Sequence, residues 1–332
     1  MDKQTQTLTA NTANQTAKSS AKKRSGKAPR RKRSLRKELK MNWMLYLMIL
    51  PGVVYFLIFK YAPMGGLVIA FQDYYPFLGI KNSQWVGLAH FKRFFNSGVF
   101  NNLMRNTLIL FGLNLIFAFP SSILLAIMLN EVRNTRFKKG VQTIVYLPHF
   151  ISWVIVVSIF YVLLTTEGGA INNIIESMGF AKIPFLTNPS WFRPLYIIQE
   201  IWKGAGWGSI IYLAALTNVD QQLYEAADLD GASRFQLIWH VTLPSIRPTI
   251  VTMLILKVGD VLELGFDHVY LMLNSLNRDV AEIFDTFVYT AGITNGQLSF
   301  STAVGFFKSI VGLILVIFAN SMAKKVGEEG VY

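Results

Sequence analysis

The chain has 332 residues, of which 52% are hydrophobic and 15% are charged, and its mean hydropathy is +0.37. A soluble domain of this length would carry more charge and fewer long apolar runs, so the composition indicates a membrane protein. Of the 32 Lys and Arg residues, 13 lie in residues 1–40, and that segment contributes +11 of the net charge of +13. This distribution excludes a nucleic-acid-binding surface, and the lack of cysteine excludes disulfides, thiolate catalysis and cysteine-ligated metals.

Residues 1–40 are rich in Lys, Arg, Ser, Thr, Ala and Asn and cannot bury a core. We predict a disordered, basic cytoplasmic tail whose charges are attracted to anionic lipid headgroups, at about 1 kcal/mol per basic residue. The apolar run that follows, from Met41 to Tyr61, is not succeeded by a small-residue cleavage site. We therefore interpret it as a retained span and not as a signal peptide.

Residues 41–332 are predicted to form one domain with six membrane spans. Each apolar segment is close to the roughly 20 residues that a spanning helix needs. The segments are too long and too continuously apolar for barrel strands, so we expect α-helices. The predicted spans are 42–60, 105–129, 141–164, 195–217, 248–267 and 301–322.

Basic residues set the expected orientation, because cytoplasmic loops carry an excess of Lys and Arg. Besides the tail, such residues follow the second span and the last span: Arg133, Arg136, Lys138, Lys139, Lys324 and Lys325. This places both termini and the loop 218–247 in the cytoplasm. Loops 61–104, 165–194 and 268–300 then face outward. The expected location is the bacterial plasma membrane, with the chain crossing it several times.

The loop between spans four and five carries the most informative motif. Between Asp220 and Pro244 the sequence predicts two short helices separated by Gly231, with Pro244 ending the second. Such a hairpin, held between two spans, would be a rigid knob on the cytoplasmic surface. Glu-Ala-Ala at 225–227, Gly231 and Leu-Pro at 243–244 stand at the spacing of the EAA loop of permeases, so this segment resembles that of ABC importers.

The resemblance extends over most of residues 41–332. Within the ABC importer permeases, the chain resembles the carbohydrate-uptake branch, which comprises the MalF-like and LplB-like oligosaccharide permeases. Trp85-Val86-Gly87-Leu88, Tyr146-Leu147-Pro148 and Ser301-Thr302-Ala303-Val304-Gly305 also fit that branch. It implies an all-α membrane protein, a six-helix transmembrane bundle of the type I ABC importer permease kind with a cytoplasmic EAA coupling helix. The residues it implies for coupling to an ATPase are Glu225, Ala226, Ala227, Asp230, Gly231, Trp239, Leu243 and Pro244.

The same resemblance implies the partners. These are an ABC ATPase dimer, a second and different permease subunit, and an extracytoplasmic sugar-binding protein. ATP and Mg would be bound by the ATPase subunits, and this chain would bind no cofactor and have no catalytic residues. In keeping with this, the sequence contains no GxxxxGK[ST] phosphate-binding loop.

Charged and aromatic residues inside spans four to six suggest a substrate path, because charges within the membrane usually face the bundle interior or a water-filled cavity. The predicted path residues are Trp202, Lys203, Trp207, Lys257, Asp260, Glu263 and Lys308. Aromatic faces and hydrogen-bonding groups suit a sugar. The alternative is internal pairing of Lys257 with Asp260 and of Glu200 with Lys203, whose spacing permits helical ion pairs. Gly204 and Gly208 are predicted to serve close helix packing.

Two other functions remain open at this level. A secondary transporter could use Asp260 and Glu263 as proton carriers, although no inverted repeat is visible. A membrane-embedded transferase is a weaker alternative, because the four histidines have no metal-ligand spacing. We expect no metal site.

Overall fold

The computed structural model describes residues 41–325, so the predicted basic tail at 1–40 lies outside the described residues. The chain divides into two compact units, with the boundary between Gly65 and Gly66. In the first unit, helix α1 covers Trp43–Phe56 and has no buried residue. It continues through a π-helical turn at Leu57–Tyr61 into α2, Ala62–Met64.

The second unit is almost entirely helical. A 3₁₀ helix at Gly65–Phe71 begins at the boundary, and two short strands, β1 (Gln72–Asp73) and β2 (Gln84–Trp85), pair antiparallel. The α-helices are α3 (Gly79–Asn82), α4 (Ala89–Asn96), α5 (Val99–Leu113), α6 (Phe119–Glu131), α7 (Thr135–Tyr146), α8 (Trp153–Leu164), α9 (Ala170–Ser177), α10 (Phe192–Thr217), α11 (Gln221–Leu229), α12 (Arg234–Leu237), α13 (Leu243–Gly259), α14 (Phe266–Met272), α15 (Arg278–Ala281), α16 (Phe284–Tyr289) and α17 (Leu298–Lys325). Further 3₁₀ turns lie at Leu147–Phe150 and Pro189–Trp191, and π turns at Asn114–Ala118, Ile238–Thr242 and Thr290–Thr294.

The predicted all-α membrane fold is confirmed. Within residues 41–325, four helical runs are long and apolar enough to cross a membrane, and they begin at Trp43, Val99, Arg234 and Leu298. A fifth candidate is the pair α7 and α8 with the 3₁₀ turn between them. The helix at the predicted fourth span, α10, has 26 residues and carries Glu200 and Lys203, so it is less apolar. The count of six spans stays a prediction.

Two predicted spans have different shapes in the structure. The third, 141–164, is broken: the chain bends by 102° between Phe150 and Trp153, where Pro148 sits in the 3₁₀ turn. The fifth, 248–267, does not coincide with one helix. Its helix starts earlier and ends at Gly259, and the chain then turns until Gly265, whose φ of +80° is a left-handed value that glycine tolerates.

Proline explains three of the π turns. Pro63, Pro120 and Pro244 each stand two residues after a widened turn, and in each case the residue before the proline donates its N–H five residues back. Proline lacks an N–H, and its ring collides with the carbonyl four residues earlier in a regular helix. Widening the turn moves that carbonyl aside, so the helices continue through these prolines.

Helix α10 lies at the centre of the second unit and packs closely against α6 and α7. Tyr212 and Leu213 of α10 share an apolar cluster with Ile123 of α6 and Ile246 of α13. A side chain at Gly208 would collide with Ser122 of α6, as the packing role predicted for this glycine requires. Gly204, in contrast, has open space beside it, and the second close approach is made by Gly206 against the Val145 backbone.

Candidate functional site

The loop at 220–244 folds into a helical hairpin whose turns are fixed by local hydrogen bonds. Asp220 accepts a hydrogen bond from the N–H of Gln222 at 2.9 Å and caps α11. At the other end, Gly231 has φ +78°, and its N–H and that of the next residue bond back to Asp228 and Ala227 at 3.0 Å each. These bonds form the glycine-terminated helix end expected there. The Ser233 and Gln236 side chains then form a capping box that starts α12.

The second arm of the hairpin continues directly into a helix that is long and apolar enough to span a membrane. The prediction that Pro244 ends this arm is wrong, because helix α12, the π turn at Ile238–Thr242 and α13 form one helical run from Arg234 to Gly259. The widened turn accommodates Pro244 as described above. The hairpin is therefore a rigid extension of the helix that contains Lys257.

A hydroxyl pair holds the two arms together. The Tyr224 hydroxyl on α11 lies 3.1 Å from Thr242 Oγ1 in the π turn, and Thr242 is 1% exposed. Thr242 Oγ1 also donates to the carbonyl of Leu237 at 3.3 Å. This contact fixes α11 against the start of α13, so a displacement of α11 carries the membrane helix with it.

The hairpin presents apolar side chains that no described residue covers. Leu229 is 90% exposed, Phe235 68% and Trp239 56%, and the last two rings meet edge to face at 6.2 Å. Of the residues predicted for coupling, Glu225, Ala226, Asp230, Gly231, Trp239 and Pro244 are exposed, whereas Ala227 and Leu243 are half-buried. The tip of this hairpin is thus suited to bind another protein.

Four of the predicted path residues lie around two cavities. The larger, of about 930 Å³, lies between the ends of α13, α16 and α17 and includes Asp260, Glu263 and Lys308. Lys308 is 9% exposed, and its Nζ lies 2.6 Å from Asp285 Oδ1 and 3.1 Å from Glu263 Oε1. This cavity is also lined by the rings of Phe266, Tyr289 and Phe306.

The smaller cavity, of about 260 Å³, lies between the π turn at Asn114–Ala118, α6, α10 and α13. It includes Lys257 and Glu200, and Asp260 lines both cavities. No carboxylate of residues 41–325 lies within 4.0 Å of the Lys257 ammonium, so the alternative pairing with Asp260 does not form there. Lys257 lies in a cavity between the helices that is lined mostly by apolar residues.

The other three predicted path residues have different contacts. Lys203 Nζ donates to the carbonyls of His149 at 2.8 Å, Pro148 at 3.4 Å and Ile151, and lies 5.3 Å from the Trp153 ring. The Pro148 carbonyl also accepts the N–H of Ile151 at 3.2 Å, so Lys203 mainly satisfies the carbonyls of His149 and Ile151 at the bend in the third span. The alternative Glu200–Lys203 ion pair does not form in residues 41–325, and Lys203 makes these bonds instead. Trp207 stacks on His149 at 4.3 Å, and Trp202 lines a separate cavity of about 420 Å³.

A buried network around His268 was missed by the sequence interpretation. The ring lies between Trp153 at 3.7 Å and Tyr196 at 4.6 Å, with interplanar angles of 8° and 17°. Its Nδ1 is 3.0 Å from Glu200 Oε1 and its Nε2 is 2.9 Å from Gln199 Oε1. This network joins α8, α10 and α14. A single histidine after a span gives no signal for it, because its partners are 68 to 115 positions away in the sequence.

Within the described residues, no group of His and acidic side chains could hold a metal ion. The arrangement consists of an exposed helical hairpin, a helix that leads from it to two cavities with charged residues in their lining, and a buried network that fixes a bent span.

Comparison with known proteins agrees with this arrangement. Residues 118–328 match the family model described as binding-protein-dependent transport system inner membrane component. The chain is 63% identical over 306 residues to YteP of Bacillus subtilis (strain 168), a polygalacturonan/rhamnogalacturonan transport system permease protein, covering 92% of this chain and 95% of YteP. It is 55% identical over 294 residues to LplB of the same organism, covering 89% of this chain and 92% of LplB.

A solved structure is similar as well. The crystal structure of a bacterial alginate ABC transporter, in complex with an alginate pentasaccharide-bound periplasmic protein, contains a chain that superposes with a TM-score of 0.82. Its sequence is 43% identical, and the match covers 90% of this chain and 99% of that one.

Proposed function

The chain belongs to the family of inner membrane components of binding-protein-dependent transport systems, and from this premise we propose that it is the permease subunit of an ATP-driven importer for oligosaccharides of acidic polysaccharides. Membership of this family makes the chain a transport component and not an enzyme. The acidic class is supported by the similar proteins, which are described for polygalacturonan and rhamnogalacturonan and for the acidic polysaccharide alginate.

The observation that carries the proposal is the 220–244 hairpin at the end of a membrane helix. Its uncovered apolar tip and its continuity with α13 are what a coupling element needs, because force applied to the tip reaches the cavity residues through one helix. The tip would dock on an ABC ATPase, and ATP and Mg would be bound there. When the ATPase dimer closes, the hairpin moves and the helices shift between inward-open and outward-open arrangements.

A second permease subunit is part of the proposal. Helix α1 is apolar and has no buried residue. A spanning helix without packing inside its own unit is suited to contact lipid or another subunit. A sugar-binding protein on the outer side would deliver the substrate, and the similar alginate transporter is in complex with an alginate pentasaccharide-bound periplasmic protein.

The cavity residues Lys257, Asp260, Glu263 and Lys308 are the proposed path. Aromatic rings beside the larger cavity can stack on sugar rings, and the polar groups can satisfy the hydroxyls. Lys308 is held by two carboxylates, whereas no carboxylate of residues 41–325 lies within 4.0 Å of the Lys257 ammonium, although Glu200 and Asp260 line the same cavity. Lys257 is therefore the cation that we propose meets a uronate carboxylate. The bent third span is contacted instead by the other three predicted path residues, Trp202, Lys203 and Trp207.

The topology completes the proposal, with both termini and the hairpin in the cytoplasm. Because the chain has no cysteine, single cysteines test this directly. Leu229→Cys, at a residue 90% exposed, should react with a membrane-impermeant maleimide only after permeabilisation. Phe77→Cys, at a residue 102% exposed, should react in intact cells. The opposite labelling pattern would show that the chain has the reverse orientation in the membrane.

The experiment that tests the function is purification of the tagged chain from mildly solubilised native membranes, followed by reconstitution. We expect an ATPase and a second multi-span subunit to co-purify, and the complex to take up oligogalacturonides only with ATP. Uptake by this chain alone, driven by a proton gradient, would favour a secondary transporter and overturn the proposal.

A further inference from the structure

Arg105, in the second turn of α5, and Arg193, at the start of α10, lie near each other on the side that the proposed topology places outside. Arg193 Nη2 donates to Asn106 Oδ1 at 3.3 Å, and Arg105 Nη2 donates to the Asp279 carbonyl at 3.0 Å. Asn106 Nδ2 donates to that same carbonyl at 2.9 Å, and Asn106 is fully buried. The two guanidinium groups are therefore held on one rigid support.

Neither guanidinium has a negative partner among residues 41–325. No carboxylate there lies within 4.0 Å of Arg105 or Arg193. Glu282, the acid of the adjoining loop, pairs with Arg278, and the Asp279 side chain is exposed. Two neighbouring cations without a counter-charge repel each other, so an anion at this place would be stabilised.

Arg193 is also short of hydrogen-bond acceptors. A guanidinium has five N–H donors. The Arg193 Nε is buried without a partner in the described part of the chain, and the bond from Nη2 to the Asn106 amide is long. A carboxylate on a docking protein can accept two parallel N–H bonds from the Nη atoms of an arginine and supplies the missing negative charge, although the buried Nε lies out of its reach.

We propose that Arg105 and Arg193 form a carboxylate-binding site that takes an acidic side chain of the extracytoplasmic sugar-binding protein. The inference rests on the proposed function and adds a specific contact for that partner. The site would hold the binding protein in register over the helices that line the path.

The surroundings favour a protein side chain over a sugar carboxylate. Arg105 is exposed, so the site opens onto the surface. Neither arginine lines the cavities that could enclose a sugar ring, described above. A carboxylate on a docking protein can reach such a surface site, whereas a sugar there would remain mostly in water.

Carbodiimide coupling tests this contact, because it joins an amine to a carboxylate that touches it and leaves arginine unchanged. The test variant is Arg105→Lys in the complete importer, in intact cells that are taking up oligogalacturonides. We expect the new amine to be linked to an Asp or Glu of the sugar-binding protein, as identified by mass spectrometry, and no such link at this position in the wild type.

Lys182 gives an internal control for the chemistry. Its Nζ lies 2.8 Å from Glu167 Oε2 in the outer loop, so this pair should be linked in every sample. If Lys182 is linked and the new amine is not, the proposal is overturned. A link to the uronate of a sugar, or to Asp279 of this chain, overturns it as well.

Affinity gives an independent measurement. The linked binding protein, purified, should bind the Arg105→Gln importer about tenfold more weakly than the wild type, as expected for loss of one charged hydrogen-bonded pair. Lys182→Gln removes one outer positive charge that is already paired and should leave the affinity unchanged. Equal affinities for the Arg105→Gln and wild-type importers would contradict the site. Absence of ATP-driven uptake by the wild type would contradict the proposed function instead.

Discussion

Gly231→Val should uncouple ATP hydrolysis from transport. The φ of +78° at Gly231 is the left-handed conformation, which costs an L-residue about 1–2 kcal/mol and a β-branched residue more. A Cβ at this position meets no atom within 4 Å, so the cost comes from the backbone alone. A penalty of this size changes a two-state population by a factor of roughly 5–30. We therefore expect uptake to fall at least about fivefold, because the hairpin loses its fixed angle.

The chain offers a matched control in Gly179. It ends α9 in the same way: its φ is +84°, and its N–H and that of Phe180 bond back to Glu176 and Ile175 at 2.9 and 3.1 Å. Gly179 also has open space beside it and lies in a loop that is predicted to face outward. Gly179→Val should therefore cost the same backbone energy without affecting coupling.

The assay is uptake and ATP hydrolysis measured on the same proteoliposomes, with the melting temperature of each purified complex. Similar melting temperatures for the two variants, with low uptake only for Gly231→Val, would support the reasoning. If both variants lose uptake to the same degree, the effect is general destabilisation. If the Gly231→Val variant transports normally, the coupling of ATP hydrolysis to uptake does not depend on the angle of the hairpin.

Three further predictions concern other contacts. Thr242→Val removes the hydroxyl pair that braces the hairpin, a hydrogen bond of about 1 kcal/mol, and should lower the ratio of uptake to ATP hydrolysis while the spans stay assembled. Lys308→Met leaves the part-buried Asp285 carboxylate unpaired and should reduce the yield of assembled complex, with a cost of about 1–3 kcal/mol, and adding Asp285→Asn should restore part of that yield. Gly206→Ala should destabilise the complex because its Cβ would collide with the Val145 backbone, whereas Gly204→Ala, which has open space, should be neutral or raise the melting temperature.

The sequence was sufficient for features that depend on nearby residues. The apolar runs predicted the helical membrane fold, and the motif from Glu225 to Pro244 predicted a hairpin with Gly231 at its turn. Helix caps and glycine-terminated helix ends are local devices, so their residues can be recognised within a few positions.

Features that depend on distant residues could not be predicted. The bend after Phe150 is supported by Lys203, and the network around His268 uses residues of α8 and α10. Pro244 was expected to end a helix because the widened turn that accommodates it has no recognised sequence pattern. The end of α13 at Gly259 was obscured by the charged residues that follow, which resemble a continuing polar helix face.

The widened turn at Ile238–Thr242 also changes how substitutions along this helix should be interpreted. One additional residue in a turn shifts the angular position of everything beyond it by about 100°. A side chain near Phe235 and a side chain near Lys257 that fall on the same line of a regular helical projection therefore point in different directions. A mutational scan of this helix should be plotted as two separate helical projections, one for the residues before the turn and one for the residues after it. Plotted as one helix, surface positions of the hairpin would be assigned to the wrong face of the helix.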